Sequence, residues 1–82
     1  MHTITFSQTA ERQFGKLDKP VQQRIVAALD RIRINPRAFL VKLVDDASYK
    51  FRVGDYRLLC EIHDDALIVL VMKVGHRSTV YN

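Results

Sequence analysis

Arg52 and Arg57 stand on either side of Gly54-Asp55, and Lys50 lies two positions upstream. A two-residue connection at Gly54-Asp55 closes a β-hairpin, and glycine at the first central position suits a type II′ turn. That loop sets Val53 across from Tyr56, Arg52 across from Arg57 and Lys50 across from Leu59. Like charges directly opposed in a sheet are destabilising, by a few tenths of a kcal/mol up to about 1 kcal/mol. An anion laid over both guanidiniums reverses the sign, because arginine holds phosphate through paired charge-assisted N–H bonds. Two readings stand side by side: a phosphate site, or three solvated basic residues with Asp55 or Glu61 nearby.

The segment Lys73-Val74-Gly75-His76-Arg77-Ser78-Thr79-Val80-Tyr81-Asn82 ends a strand at a glycine and follows it with a polar cluster. Gly75 can turn the chain off the sheet edge. In a meander, Arg77 and Tyr81 then reach the end of the sheet that carries Arg52 and Arg57. His76 is an additional candidate, as a general acid or base suited to neutral pH. Its alternative is an exposed loop histidine. His2, His63 and His76 are scattered with no His-x-x-x-His spacing, and Cys60 is the single cysteine. No metal site, cofactor site or disulfide is therefore expected.

These residues need a scaffold. Thr3 to Phe6 alternates with β-branched residues and reads as a first strand. Ser7 can cap a helix in which Ala10, Phe14 and Leu17 form one stripe. Asp18-Lys19-Pro20 restarts the chain, with proline in the first turn. Val21, Ile25, Ala28, Leu29 and Ile32 then mark a second helical face, which Asn35-Pro36 stops. The short connection makes the two helices an antiparallel hairpin. Phe39 to Ser48 is the least readable stretch, an irregular packed segment or a short strand, with a turn at Asp45 to Ser48.

Tyr49–Val53, Tyr56–His63 and Leu67–Val74 read as three antiparallel strands, with a second two-residue loop at Asp64-Asp65. Arg57 then opposes Met72, and Leu59 opposes Leu70. Tyr49, Phe51, Val53, Tyr56, Leu58, Cys60, Ile62, Leu67, Val69 and Val71 share the face that packs on the helices. Lys50, Arg52, Arg57, Leu59, Glu61, His63, Ile68, Leu70, Met72 and Val74 share the other. On that second face Leu59, Ile68, Leu70 and Met72 form an apolar strip, either a docking site or covered by Phe39–Ser48.

The chain has 82 residues, 48% of them hydrophobic and 27% charged, with a formal net charge of +4. One domain spanning residues 1–82 fits that length. The longest apolar run, Ala66 to Met72, is 7 residues, against roughly 20 for a membrane helix. The first residues lack a signal-peptide pattern. A cytoplasmic protein with no membrane partner is expected. The excess charge favours anionic partners without choosing among nucleic acid, acidic protein and membrane surface. Residues 1–48 carry a net +3 and residues 49–82 a net +1, so placement of charge outweighs its total.

The run Tyr49-Lys50-Phe51-Arg52-Val53-Gly54-Asp55-Tyr56-Arg57, followed by Val74-Gly75-His76-Arg77 and Val80-Tyr81, resembles the RelE/ParE superfamily of toxins from type II toxin–antitoxin pairs. The likeness is closer to the RelE branch and extends over the whole chain. It implies an α+β fold, β-α-α-β-β-β, with the first strand and helical hairpin packed on an antiparallel sheet. It also implies a ribosome-dependent endoribonuclease that cuts mRNA in the 30S A site without metal. A cognate RelB-like antitoxin would neutralise it, and operator DNA would be met only through that antitoxin. By motif position, the implied catalytic set is Lys50, Arg52, Arg57, Arg77 and Tyr81.

The chemistry agrees with those residue types. Arg57 aims donors at the scissile phosphate. Lys50 or Arg52 stabilises charge, and Lys50 acts as base if neighbouring cations favour its neutral amine. Arg77 serves the leaving oxygen, and Tyr81 stacks on a base or orients the 2′-hydroxyl. The alternatives are a ParE-like inhibitor of DNA gyrase and an inactive antitoxin-binding module.

Overall fold

The structure, a computed structural model, describes residues 1–44 and 47–78. Thr3–Phe6 forms β1, Gln8–Gly15 α1, Lys19–Ile32 α2, Val41–Lys42 β2, Tyr49–Val53 β3, Tyr56–His63 β4 and Ile68–His76 β5. A turn of 3-10 helix, Pro36–Ala38, precedes β2. The sheet order is β1-β5-β4-β3-β2. The β2 to β5 pairings are antiparallel, whereas β1 lies parallel to β5 with Thr3 beside Ile68. The expected antiparallel sheet is thus mixed, with the first strand as its outer edge.

Ser7 starts α1 as the sequence implies, its Oγ accepting from the Ala10 N–H at 3.1 Å. The Asp18 side chain makes no capping bond at the start of α2. The Gln22 amide instead donates to the Phe14 carbonyl at 2.9 Å and ties the two helices together. Ala10, Ile25, Ala28, Leu29 and Ile32 of the helices are buried against Val53, Leu58, Cys60, Val69, Val71 and Val74 of the sheet. Side chains such as Ile25, Ile32 and Leu58, fully enclosed, each contribute about 1.5–3 kcal/mol. Phe6 meets Phe14 edge to face at 5.3 Å. Burial pushes the Cys60 thiol up to about 12.

The β3–β4 hairpin has the register that Gly54-Asp55 dictates, including Arg52 opposite Arg57. Gly54 has φ of 58° and Asp55 is not among the positive-φ residues, the sign pattern of a type II′ turn.

The β4–β5 register differs from the expected one. Leu67 adopts φ of 53° and belongs to the turn, so His63 pairs with Ile68 rather than with Ala66. Leu67 is exposed, not in the core, and the strand starts at Ile68. A β-bulge follows: Cys60 pairs with Val71, but Leu59 pairs with Lys73. Met72 is the extra residue, and past it the faces exchange. Val74, expected on the polar face, is buried in the core, and Lys73 takes its place outside. Leu59 and Arg57 therefore face Lys73 and Gly75, not Leu70 and Met72.

The bulge leaves backbone groups that need partners. Ser7 Oγ donates to the Met72 carbonyl at 2.9 Å, and Gln13 Oε1 accepts from the Val74 N–H at 2.8 Å. Where β1 ends, α1 thus takes over the outer side of β5.

The Phe39–Ser48 stretch supplies buried Leu40 and then the short edge strand β2. Asp45 and Asp46 of the expected turn lie outside the described residues. Because β2 is the edge opposite β1, it does not cover Ile68, Leu70 and Met72. The chain start is pinned by His2, whose N–H donates to the Arg33 carbonyl at 2.8 Å. The His2 ring lies 3.4 Å from Asp64, which Arg37 also holds, at 2.8 Å. Among the described residues no helix is long and apolar enough to cross a membrane.

Candidate active site

Two rows of residues cross the outer face of the sheet. One reads Val41, Lys50, Leu59, Lys73 from β2 to β5, and the next reads Arg52, Arg57, Gly75 from β3 to β5. The second row sets two guanidiniums side by side and then a position with no side chain.

Val41, Lys50, Phe51, Arg52 and Arg57 line a concavity of about 230 Å³ at this end of the sheet. Edge strand β2 builds its wall, so the segment least readable in sequence completes the site. Lys50 and Arg57 are half-buried, while Arg52 is exposed. Partial burial restricts the solvent that would otherwise screen the charges, so an anion entering there is held more strongly than on an open surface. Glu61, further along β4, is engaged by His63 at 2.9 Å.

Arg77 follows β5, and its N–H donates to the Asp55 carbonyl at 2.8 Å. The turn bearing Arg77 is therefore fastened to the hairpin turn that joins Arg52 and Arg57. His76 is placed differently. It pairs with Tyr56 in the ladder and meets that ring edge-on at 5.6 Å, on the face opposite Arg57. Its Nδ1 is engaged with Ser78 Oγ at 3.0 Å. Tyr81 lies outside the described residues.

The structure thus brings Lys50, Arg52 and Arg57 around one concavity with Arg77 on the adjoining turn. Lys73 joins the same face and escaped the sequence reading, because strict alternation from Val69 puts it in the core. The break in that alternation, apolar at Val69 and Val71 and again at Val74, is the signal that marks the bulge.

Cations arranged in this way bind a phosphodiester and neutralise charge that grows on it during displacement. Among the described residues no three His, Cys, Asp or Glu side chains converge as metal ligands.

A family model described as the ParE toxin of type II toxin–antitoxin systems matches residues 4–81. The chain is 34% identical over 86 residues to an Escherichia coli protein whose description, RelE-like toxin, is provisional, covering 99% of this chain and 90% of that protein. It is 30% identical over 84 residues to the mRNA interferase toxin RelE of Escherichia coli strain K12, covering 96% of this chain and 88% of that protein. Its fold is similar to a chain of the RelBE2 toxin–antitoxin complex from Mycobacterium tuberculosis. There the TM-score is 0.85 and the identity 29%, over 93% of this chain and 98% of that one.

Proposed function

The chain belongs to the RelE/ParE superfamily of type II toxin–antitoxin toxins, and on that premise we propose that it is a ribosome-dependent endoribonuclease that cuts mRNA in the A site. The observation that carries this reading is the concavity where Lys50, Arg52 and Arg57 converge beside the turn of Arg77. Relatives named as mRNA interferases support the activity.

In the proposed reaction the 2′-oxygen of one nucleotide attacks its own 3′-phosphorus as its proton passes to a base. The P–O5′ bond breaks, leaving a 2′,3′-cyclic phosphate and a 5′-hydroxyl. Arg57 holds the non-bridging oxygens, whose charge increases in the transition state. Arg52 adds a second fork of donors from across the hairpin. Lys50 lines the same concavity, as base or as a further point charge. Arg77 neutralises the leaving 5′-oxygen, which takes its proton from solvent to become the 5′-hydroxyl; the guanidinium itself keeps its proton at neutral pH. Tyr81 completes the proposed set by stacking on a base or orienting the 2′-hydroxyl.

The partner in this reading is a RelB-like antitoxin, supported by the toxin–antitoxin complexes among the similar structures. Leu59, Ile68, Leu70 and Met72 stay half-buried on the outer face and offer it an apolar strip beside the cations. Operator DNA would be met through that antitoxin.

The family model carries the ParE name, so gyrase inhibition is the second reading. Primer extension on mRNA translated in a purified system, run beside a gyrase supercoiling assay, separates the two. A-site cuts with unimpaired supercoiling are expected. Inhibited supercoiling without cuts sinks the ribonuclease reading, and inactivity in both assays favours a binding module.

A further inference from the structure

A second concavity, of about 360 Å³, lies between α2 and the end of β3, and Arg24, Arg31, Phe39, Phe51 and Arg52 are among its lining residues. Arg24 and Arg31 are seven positions apart, two helical turns, with Ala28 between them lining the same groove. A methyl group added at Gly54 would stand 3.4 Å from Arg24 Nη1, so that guanidinium rests against the β3–β4 turn. Among the described residues no carboxylate lines the groove. Asp30, the acidic residue of α2, is taken by Arg33 at 3.0 Å. Among the described residues no ion pair joins Arg24, Arg31 or Arg52.

Arg52 and Phe51 line this groove and also the concavity of Lys50 and Arg57. The two share those residues, where β3 separates the helix side of the sheet from its outer face. Phe39 is 54% exposed and stands beside the guanidiniums. Basic residues that track a backbone, joined to an open aromatic ring, form a platform suited to single-stranded nucleic acid.

We propose that the groove between α2 and β3 is a second phosphate-binding subsite, which takes the single-stranded RNA running on from the cleavage concavity over Arg52. This rests on the ribonuclease reading above. Arg24 and Arg31 hold backbone phosphates, and Phe39 stacks on one base. An acidic protein segment would satisfy the charges equally well, but it leaves the exposed ring and the sharing of Arg52 between the two concavities without a use.

The test is binding of a labelled 2′-O-methyl RNA dodecamer to the full chain across a potassium chloride series. The methyl group removes the attacking hydroxyl, so binding is read apart from cleavage. Each phosphate contact to a single strand contributes about 0.7 to the slope of log K against log salt. Replacing both Arg24→Ala and Arg31→Ala is expected to flatten the slope by about 1.4. Arg24→Lys with Arg31→Lys should restore it, since lysine keeps the charge. Phe39→Ala should weaken binding with no change in slope. Circular dichroism should be unaltered, as both arginines are exposed and alanine favours a helix.

An unaltered slope in the double alanine variant overturns the subsite. So does the absence of RNA binding by the unsubstituted chain, or a double variant that loses only affinity for a polyglutamate peptide. If the slope falls as expected yet translated mRNA is not cut, the subsite stands and the cleavage reading fails.

Discussion

The main-chain N–H of Arg77 donates to the carbonyl of Asp55 at 2.8 Å, fastening the turn after β5 to the turn between β3 and β4. The tie belongs to the backbone, so it survives a change of side chain at position 77. Arg77→Ala should keep the fold and lose only the guanidinium, whereas Arg77→Pro also removes the donor.

Arg57→Ala and Arg77→Ala are each expected to slow A-site cleavage by about 10²–10³-fold, the usual loss when a donor aimed at transition-state charge is removed. Thermal melts should stay level. Arg57→Ala also removes the like charge that faces Arg52. Full cleavage by either variant, measured by primer extension, would remove that residue from the phosphate assignment.

Gly75 lies beside Arg57 in the ladder, and it is not among the positive-φ glycines. A side chain is therefore conformationally acceptable there, and its effect is on space. Gly75→Leu should keep the folded circular dichroism spectrum while slowing cleavage in primer extension. Normal cleavage with leucine at position 75 would show that the substrate does not use that side of Arg57.

The bulge at Met72 depends on two side chains of the first helical region. Gln13→Ala strips the partner from the Val74 N–H and should cost about 1 kcal/mol in urea unfolding, with the range 0.5–1.5 kcal/mol. Ser7→Ala loses both the helix cap and the bond to the Met72 carbonyl, and should cost more, about 1–2 kcal/mol. If both variants match the unsubstituted midpoint, the bulge is held by the core alone.

The Arg37 guanidinium beside Asp64 holds its carboxyl below the usual carboxylate range, with a smaller contribution from His2. A depressed carboxylate stabilises the fold above its ordinary value and loses that effect as pH falls through the depressed one. Stability should therefore decline below about pH 4. Asp64→Asn should lower the melting temperature at neutral pH and flatten its fall as pH drops below about 4. Parallel melting curves for the two proteins across that window would exclude a contribution from this pair.

The hairpin carrying Arg52 and Arg57 is legible because a single glycine with positive φ sets its register. The helical faces are legible for a similar reason: Ile25, Ala28, Leu29 and Ile32 repeat with the helical period and all are buried. The β4–β5 pairing is not legible, since it depends on a left-handed leucine, a conformation that leucine rarely adopts. The bulge at Met72 hides Lys73 because its backbone partners, Ser7 and Gln13, lie some sixty residues away. Strand β2 has two residues and no periodicity to read, yet Val41 walls the site. His76 adjoins Arg77 in sequence but, as the partner of Tyr56 in the ladder, lies on the face opposite Arg57.

The parallel pairing of β1 with β5 has a consequence for how the molecule comes into being. Ser7 and Met72, 65 residues apart, must meet before the first strand has any partner in the sheet. During synthesis β1 waits, and helices α1 and α2 have only half a core to pack on. Contacts of such high sequence separation form late and slowly. The concavity of Lys50 and Arg57 therefore gains its Gly75 flank and its Arg77 turn only once β5 has been made and inserted between β1 and β4. A chain interrupted before that strand is left without an assembled site, so the order of synthesis itself delays the chemistry.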